Sequence, residues 1–263
     1  MTVKDLQRYF TSELRRLEFS PNQDELGVLL GKIGERLQAF FRDFSNTSSK
    51  ESVFMQKPGD TGGISRDFNY LISYDSSGKA PLLKEYRTDR KNHSIDQDAL
   101  RGFLITSGYV GLSLNFHPAY QQACQFRYLG KQTSDPHAYI VAFAQKTEAK
   151  DLQIDYTDII TGSSFRVPVQ GIAWVDPNMY QILRMRVNLL GVGNRSFMTE
   201  QSTDIKLGEV RFKDTEKKLW LPREVAVTTL ISGVVLRNQH RYTEYKLFEV
   251  KSDFTIDKPK PRD

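Results

Sequence analysis

The amino-acid sequence predicts an α+β fold, an antiparallel meander of about ten strands curling around helices. Three observations lead there. Leu183, Met185, Val187 and Leu189 alternate with Arg184, Arg186 and Asn188, the period of a strand with one buried and one wet face. The same period recurs along most of the chain, with neighbouring runs joined by short turns. Helical periodicity is confined to the front of the chain and to one apolar insert.

At the front, Val3, Leu6, Phe10, Leu14 and Leu17 recur at steps of three and four, which predicts a short amphipathic helix ending near Phe19. A second helix is expected from Ser20, with Ser20 as N-cap, Pro21 at the first helical position and Gln23 completing a capping box. Its apolar stripe, from Leu26, Leu29 and Ile33 to Leu37, Phe41 and Phe44, needs another layer to cover it. Asn46-Thr47-Ser48-Ser49 should end it.

From Lys50 the period drops to two. Strands are expected over Ser52–Lys57, over Phe68–Asp75 with an aromatic face, and over Leu83–Thr88. Phe103 to Phe116 is nearly free of charge and carries Gly108 and Gly111. A strand and a short, loosely packed helix both fit. Its apolar steps favour the helix, although each glycine weakens it by about 1 kcal/mol relative to alanine. Strands follow from Cys124 to Lys131 and around Tyr139, Val141 and Phe143, while Glu148–Ser164 is ambiguous.

Phe165–Val175 and Tyr180–Leu190 form a hairpin around Asp176-Pro177-Asn178, whose aspartate should bond its own turn. Leu183, Met185, Val187 and Leu189 should face inward, Arg184 and Arg186 outward. Gly191–Gln201 reads as a polar loop. Asp204–Phe212 is a strand whose apolar parity switches at Gly208, as a bulge requires. Leu219–Ile231 turns at Ser232-Gly233 into Val234–Val250. The expected organisation is a helical extension over residues 1–19, one domain over 20–255 and a disordered tail over 256–263.

With 263 residues the chain can bury a substantial core, and 26% charged and 39% hydrophobic residues are ordinary for a globular protein. The net charge of +5 is spread singly among acids, which argues against a nucleic-acid partner. Cys124 is the only cysteine, so no intramolecular disulfide forms, and its apolar setting suits a small buried hydrophobe. No run reaches the roughly 18 apolar residues of a transmembrane segment. Met1–Phe19 is too charged for a signal-peptide core, so the chain is either cytoplasmic or lacks its export signal.

The catalytic inventory is thin, and no enzyme activity or cofactor is expected. His93, His117, His137 and His240 have no metal-ligand spacing and read as surface or loop residues. Leu30-Gly31-Lys32-Ile33 lacks the rest of a phosphate loop, Gly191-Val192-Gly193-Asn194 lacks a dinucleotide-site setting, and Ser107 and Ser113 lack a nucleophile elbow. Glu244, Glu249 and Asp253 are strand-edge acids. What stands out is apolar supply, with 16 Phe, 12 Tyr and small alanines at 138, 142 and 144. Two readings stay open. One is an ordinary core with a buried segment. The other is a concave face with room for an apolar ligand and Phe103–Phe116 as its lid or plug.

Two motifs resemble a known family. Trp174-Val175-Asp176-Pro177 followed by Tyr180-Gln181-Ile182-Leu183-Arg184 resembles a hairpin of the outer-membrane lipoprotein-sorting (LolA-like) superfamily of lipoprotein carriers. Leu219-Trp220-Leu221-Pro222-Arg223-Glu224-Val225, with His240-Arg241-Tyr242-Thr243-Glu244-Tyr245 and Phe248, is similar to the ending of bacterial extracytoplasmic proteins with that fold. The resemblance covers roughly Phe126 to Val250 and implies a strongly curved, incompletely closed antiparallel β-barrel, with helices on its concave side and at the N-terminus. It implies a periplasmic or secreted protein that binds an acyl chain or a lipidated protein without catalysis. The alternative is a protein-interaction or sensor module with an envelope partner. The expected cavity and lid residues are Phe103, Leu104, Tyr109, Val110, Leu112, Leu114, Phe116, Phe126, Tyr128, Val225 and Val227. The longer helical front departs from the family layout, and no polar group for the cavity mouth is identifiable from the residues.

Overall fold

The computed structural model describes residues 6, 10, 13–14, 16–44, 46–56, 59, 62–75, 82–93, 95, 108–134, 137–148, 152, 154–157, 164–190, 198–213 and 215–248. Phe103, Leu104, most of residues 191–201 and the 256–263 tail therefore lie outside the described residues.

Eleven strands form one open antiparallel sheet. In chain order its strands are β1 (Leu17–Phe19), β2 (Thr47–Gln56), β3 (Ile64–Asp75), β4 (Leu82–Thr88), β5 (Cys124–Gln132) and β6 (Ala138–Gln145). They are joined by β9 (Val169–Val175), β10 (Ile182–Leu189), β11 (Met198–Arg211), β12 (Lys218–Ile231) and β13 (Val234–Leu247). The ambiguous stretch supplies β7 (Ile154–Thr157) and β8 (Ser164–Val167), which pair only with each other. The order across the sheet is β1-β5-β6-β9-β10-β11-β12-β13-β2-β3-β4, so β1 and β4 are its unjoined edges. The sequence expectation of a curved, unclosed antiparallel sheet holds at this level.

That order forces two long connections. From β1 the chain passes to β2 near the far edge through helix α1 (Leu26–Arg42), and from β4 it returns to β5 through a 3-10 helix at Val110–Phe116. Leu29, Ile33, Leu37 and Phe41 of α1 are buried in one cluster with sheet residues such as Tyr70, Phe143, Met185 and Val225. We call the sheet face that joins this cluster the core face. The other face of β6 and β9 is covered by Leu6 and Phe10 of the amino-terminal helix, packed on Ile140, Ile172 and Trp174. Strands β6 and β9 are thus buried on both faces.

Several local expectations are corrected. The helix starts at Leu26, with Glu25 as N-cap and no side-chain cap. Gln23 is no capping residue: its amide accepts from the Tyr128 backbone N–H (2.9 Å) and donates to the Tyr128 carbonyl (2.8 Å), extending the ladder of β5. Leu17–Phe19, expected to end the first helix, is a strand on β5, and Thr47–Ser49, expected to end the second, already belongs to β2. Met198–Gln201, expected in a loop, opens β11. Leu183 does not face the core. A bulge between Ile182 and Arg184 puts Ile182, Met185 and Val187 inward and packs Leu183 on the opposite cluster. The indole N–H of Trp220 donates to the Ile182 carbonyl at 2.7 Å, satisfying a group that the irregular ladder leaves over.

Other expectations hold. Asp176 Oδ1 accepts the backbone N–H groups of Asn178 (2.8 Å) and Met179 (2.7 Å) in its own turn. The β12–β13 hairpin turns on Ser232 and Gly233, both at positive φ (47° and 78°), as a tight hairpin of this hand requires. The parity switch in β11 is present too. Its register shifts between Lys206 and Leu207, leaving Arg223 of β12 as the extra residue.

Candidate functional site

The 3-10 segment lies on the core face and is anchored at both ends. At its start, the Glu85 carboxylate on β4 accepts the backbone N–H groups of Gly108 (2.9 Å) and Val110 (2.8 Å). At its end, Asn115 Oδ1 accepts from the Gln145 amide (2.8 Å) and the Cys124 thiol (3.3 Å), and Gln145 in turn accepts the Val169 N–H (2.9 Å). Burial pushes the Cys124 thiol up to about 12, which keeps it protonated and able to donate. Beyond the segment, Gln121 donates to the carbonyls of Phe116 (2.9 Å) and Leu30 in α1 (3.0 Å), tying the two crossovers together.

Beside the start of this segment sits a buried polar cluster assembled by strand register. Glu51 on β2 pairs directly with Tyr242 on β13, His240 lies two residues earlier on the same face, and Arg87 on β4 pairs with Tyr70 on β3. The Arg87 guanidinium grips both Glu51 carboxylate oxygens, with Nη2 to Oε1 at 2.8 Å. Tyr242 donates its hydroxyl to Glu51 Oε1 at 2.9 Å, and His240 Nδ1 lies 2.8 Å from the same oxygen. The carboxylate only accepts, so Nδ1 carries the hydrogen. His240 Nε2 then meets the Tyr109 hydroxyl at 3.2 Å, which links the cluster to the 3-10 segment. Burial alone would raise the Glu51 carboxyl. The charge and hydrogen bonds of Arg87, with those of His240, more than offset it and lower the carboxyl to about 2. Burial raises the Tyr242 and Tyr70 hydroxyls.

A carboxylate, an imidazole and a phenol in line can in principle relay a proton. Here Glu51 and His240 are each 1% exposed and Tyr109 3%, so a substrate reaches the imidazole only by displacing the 3-10 segment. The arrangement orients that segment and neutralises a buried charge. Among the described residues no group of three or more His, Cys, Asp and Glu side chains stands where it could hold a metal ion. No helix among them is long and apolar enough to cross a membrane.

The third feature is a cleft in the sheet. Strands β12 and β13 pair from Ile231–Val234 only as far as Glu224–Arg241. Beyond that, Lys218–Pro222 stay with β11 and Tyr242–Leu247 stay with β2. The local sequence explains the parting. Pro222 has no N–H to give a ladder, Arg223 is the extra residue of a bulge, and Glu244 adopts a left-handed φ of 53°. Across the gap the Tyr245 hydroxyl donates to the Pro222 carbonyl at 2.7 Å. The cleft encloses about 900 Å³, within the roughly 300–1,000 Å³ of small-molecule sites. Its apolar wall is Val210, Phe212, Tyr242, Tyr245 and Leu247, all in or against the main core cluster. Tyr242 therefore serves both the cleft wall and the buried polar cluster.

The structure brings most of the sequence-predicted site residues together. Tyr109, Val110, Leu112, Leu114, Phe116, Tyr128, Val225 and Val227 are buried in the main cluster and Phe126 packs against it. Phe116 meets Phe126 and Phe143 ring to ring, at 5.2 and 5.3 Å. Within the described part of the helix expected over Phe103–Phe116, Val110–Phe116 is a 3-10 helix. The histidine reading needs correction at His240, which lies on β13 and is 1% exposed; His117 is in a bend, as a loop residue, but it too is buried, at 6%. Sequence reasoning missed the polar cluster and the cleft. A signal for the first was present: Glu51 shares strand parity with Val53 and Met55, and His240 with Asn238 and Tyr242. For the second it was Pro222 beside a bulge in an otherwise continuous strand.

No family profile and no curated protein sequence matches the chain. Solved structures do. A DUF1329 family protein from Desulfovibrio piger superposes with a TM-score of 0.50 at 10% identity, covering 88% of this chain and 96% of that one. A domain described as an outer membrane lipoprotein-sorting protein, from Vibrio parahaemolyticus, superposes with a TM-score of 0.46 at 10% identity, covering 83% and 91%. At 10% identity the first likeness is one of fold.

Proposed function

We propose that this protein binds a hydrophobic ligand, an acyl chain or a lipidated protein, without catalysis and in the bacterial envelope. In this reading the open sheet is a half-barrel, α1 and the 3-10 segment occupy its concave side, and the segment with Phe103 and Leu104 before it is a displaceable plug. The observation that carries the proposal is the cleft between β12 and β13, whose apolar wall is continuous with the core residues that the segment covers. Burying a chain stabilises by roughly 0.8 kcal/mol per methylene. A chain of about fourteen carbons therefore offers on the order of 10 kcal/mol gross, enough to compete with the side chains of Leu112, Leu114 and Phe116.

Native mass spectrometry of the protein expressed in bacteria, followed by hydrogen exchange, tests this. A copurifying or added chain should shift the mass and change the protection of Gly108–Leu114. If no long-chain compound binds and those amides do not respond, the proposal fails. A second reading, a protein-interaction or sensor module on the same scaffold, is favoured by the anchoring of the segment at both Glu85 and Asn115. Clean apo protein that captures one specific envelope protein would support it.

A further inference from the structure

We infer that the cleft takes a single-chain amphiphile with an anionic carboxylate head, a fatty acid, with its chain against the apolar wall and its head at the rim. This rests on the proposed binding of a hydrophobic ligand and names the ligand's chemistry. The rim is cationic. Among the described residues, Arg211, Lys213, Arg223 and Lys246 line it, against one carboxylate, that of Glu244. Arg211 is engaged by Glu209 at 2.6 Å. Glu244 is drawn to Lys50, outside the cleft, at 2.7 Å. Among the described residues Arg223, Lys213 and Lys246 have no ion pair, so three cations meet a rim whose own acid already has a partner. The Glu244 carboxyl is held low mainly by its hydrogen bond to Lys50, with the fields of Lys246 and Lys213 adding to it.

The cleft is also built to admit a slender group. The bond from Tyr245 to the Pro222 carbonyl crosses it where a strand ladder would otherwise close it, and a side chain rotates aside far more readily than a paired strand separates. Behind that bond are Tyr242, Phe212 and Val210 of the core. A cationic mouth over an aromatic and aliphatic wall suits a molecule with one charge and one chain. The cost of partly desolvating a head grows with the square of its charge and its attraction to the rim cations only linearly, so a singly charged head fits better than a doubly charged phosphate.

Calorimetric titration of the full chain with tetradecanoate, tetradecanol and tetradecyl phosphate separates the outcomes. Tetradecanoate should bind most tightly, and added salt should weaken it but not the alcohol. Replacing the exposed rim cations, Arg223→Gln with Lys246→Gln, should weaken tetradecanoate by about tenfold per cation and leave tetradecanol and the melting temperature unchanged. Equal binding of acid and alcohol, both indifferent to these substitutions, overturns the anionic site while leaving the hydrophobic-ligand reading intact. Acid binding that survives the double substitution places the head elsewhere and also overturns the inference. Tighter binding of the phosphate overturns the carboxylate head. If none of the three binds, both the inference and the reading it rests on fall.

Discussion

The strands on the two sides of the cleft are held by different forces. On one side, β6 and β9 are buried on both faces, the core face by Phe116 and Phe143 and the other by Leu6, Phe10 and Trp174. On the other side, β2 alternates buried and exposed residues along its length, and its core face is fastened to β13 and β4 by Glu51, His240, Tyr242 and Arg87. Apolar packing is non-directional and indifferent to protons. A buried carboxylate held by one guanidinium fixes geometry and depends on pH. The cleft lies between an oily half and a half whose inner face is pinned by charge. The 3-10 segment touches both, Phe116 resting on the first and Tyr109 bonding into the second.

The sharpest way to break this contrast is one substitution on each side. Phe143→Ala leaves a cavity in a fully buried site and should cost about 3–5 kcal/mol in denaturant unfolding. Glu51→Gln should cost a similar amount, about 3–5 kcal/mol, because Arg87 is left with an uncompensated buried charge. Their pH profiles should differ. The folded carboxyl of Glu51, at about 2, lies below its ordinary value of about 4.3. Its contribution is present above that ordinary value and is lost as pH falls toward the folded one. Wild type and Phe143→Ala should share this acid loss, and Glu51→Gln should lack it. Identical acid limbs in all three proteins would remove the distinction between the halves.

A smaller effect tests how the segment is clamped. A Cβ on Gly34 of α1 would lie 2.8 Å from Pro118 Cγ, so Gly34→Ala must push the crossovers apart. We expect a loss of about 1–3 kcal/mol and faster amide exchange over Val110–Phe116. Unchanged exchange there would show that α1 does not hold the segment down. Asp176→Ala, outside the cleft lining, should cost about 1 kcal/mol by losing its turn bonds and leave ligand binding untouched. Smallest is Tyr245→Phe, which frees the Pro222 carbonyl for about 0.5–1 kcal/mol while speeding ligand association. Slower association in that variant would mean that the phenol guides the ligand and does not block it.

Much of the fold is legible in the residues because it rests on local rules. The alternation of Phe68, Tyr70 and Ile72, the Asp176 turn and the Ser232-Gly233 hairpin each follow from side-chain period or backbone preference within a few residues. The apolar residues of the segment could be named as buried because nothing in Val110–Phe116 can be solvated by charge. Expectations failed where a distant partner intervened. Gln23 has the sequence of a capping residue, but the Tyr128 backbone, 105 positions away, takes both ends of its amide.

The sequence by itself determined an antiparallel sheet with helices at the front and an apolar insert, because side-chain period and turn chemistry are properties of neighbouring residues. Only the tertiary structure decided what that sheet encloses. Glu51 and His240 stand 189 positions apart, and neither carries a local mark of its partner, so their bond exists only once β13 has paired with β2 in one register. Likewise Pro222 marks a weak point in a strand, but whether the gap is filled or open depends on β13 bending away at Glu244, on a strand folded from a different stretch of chain.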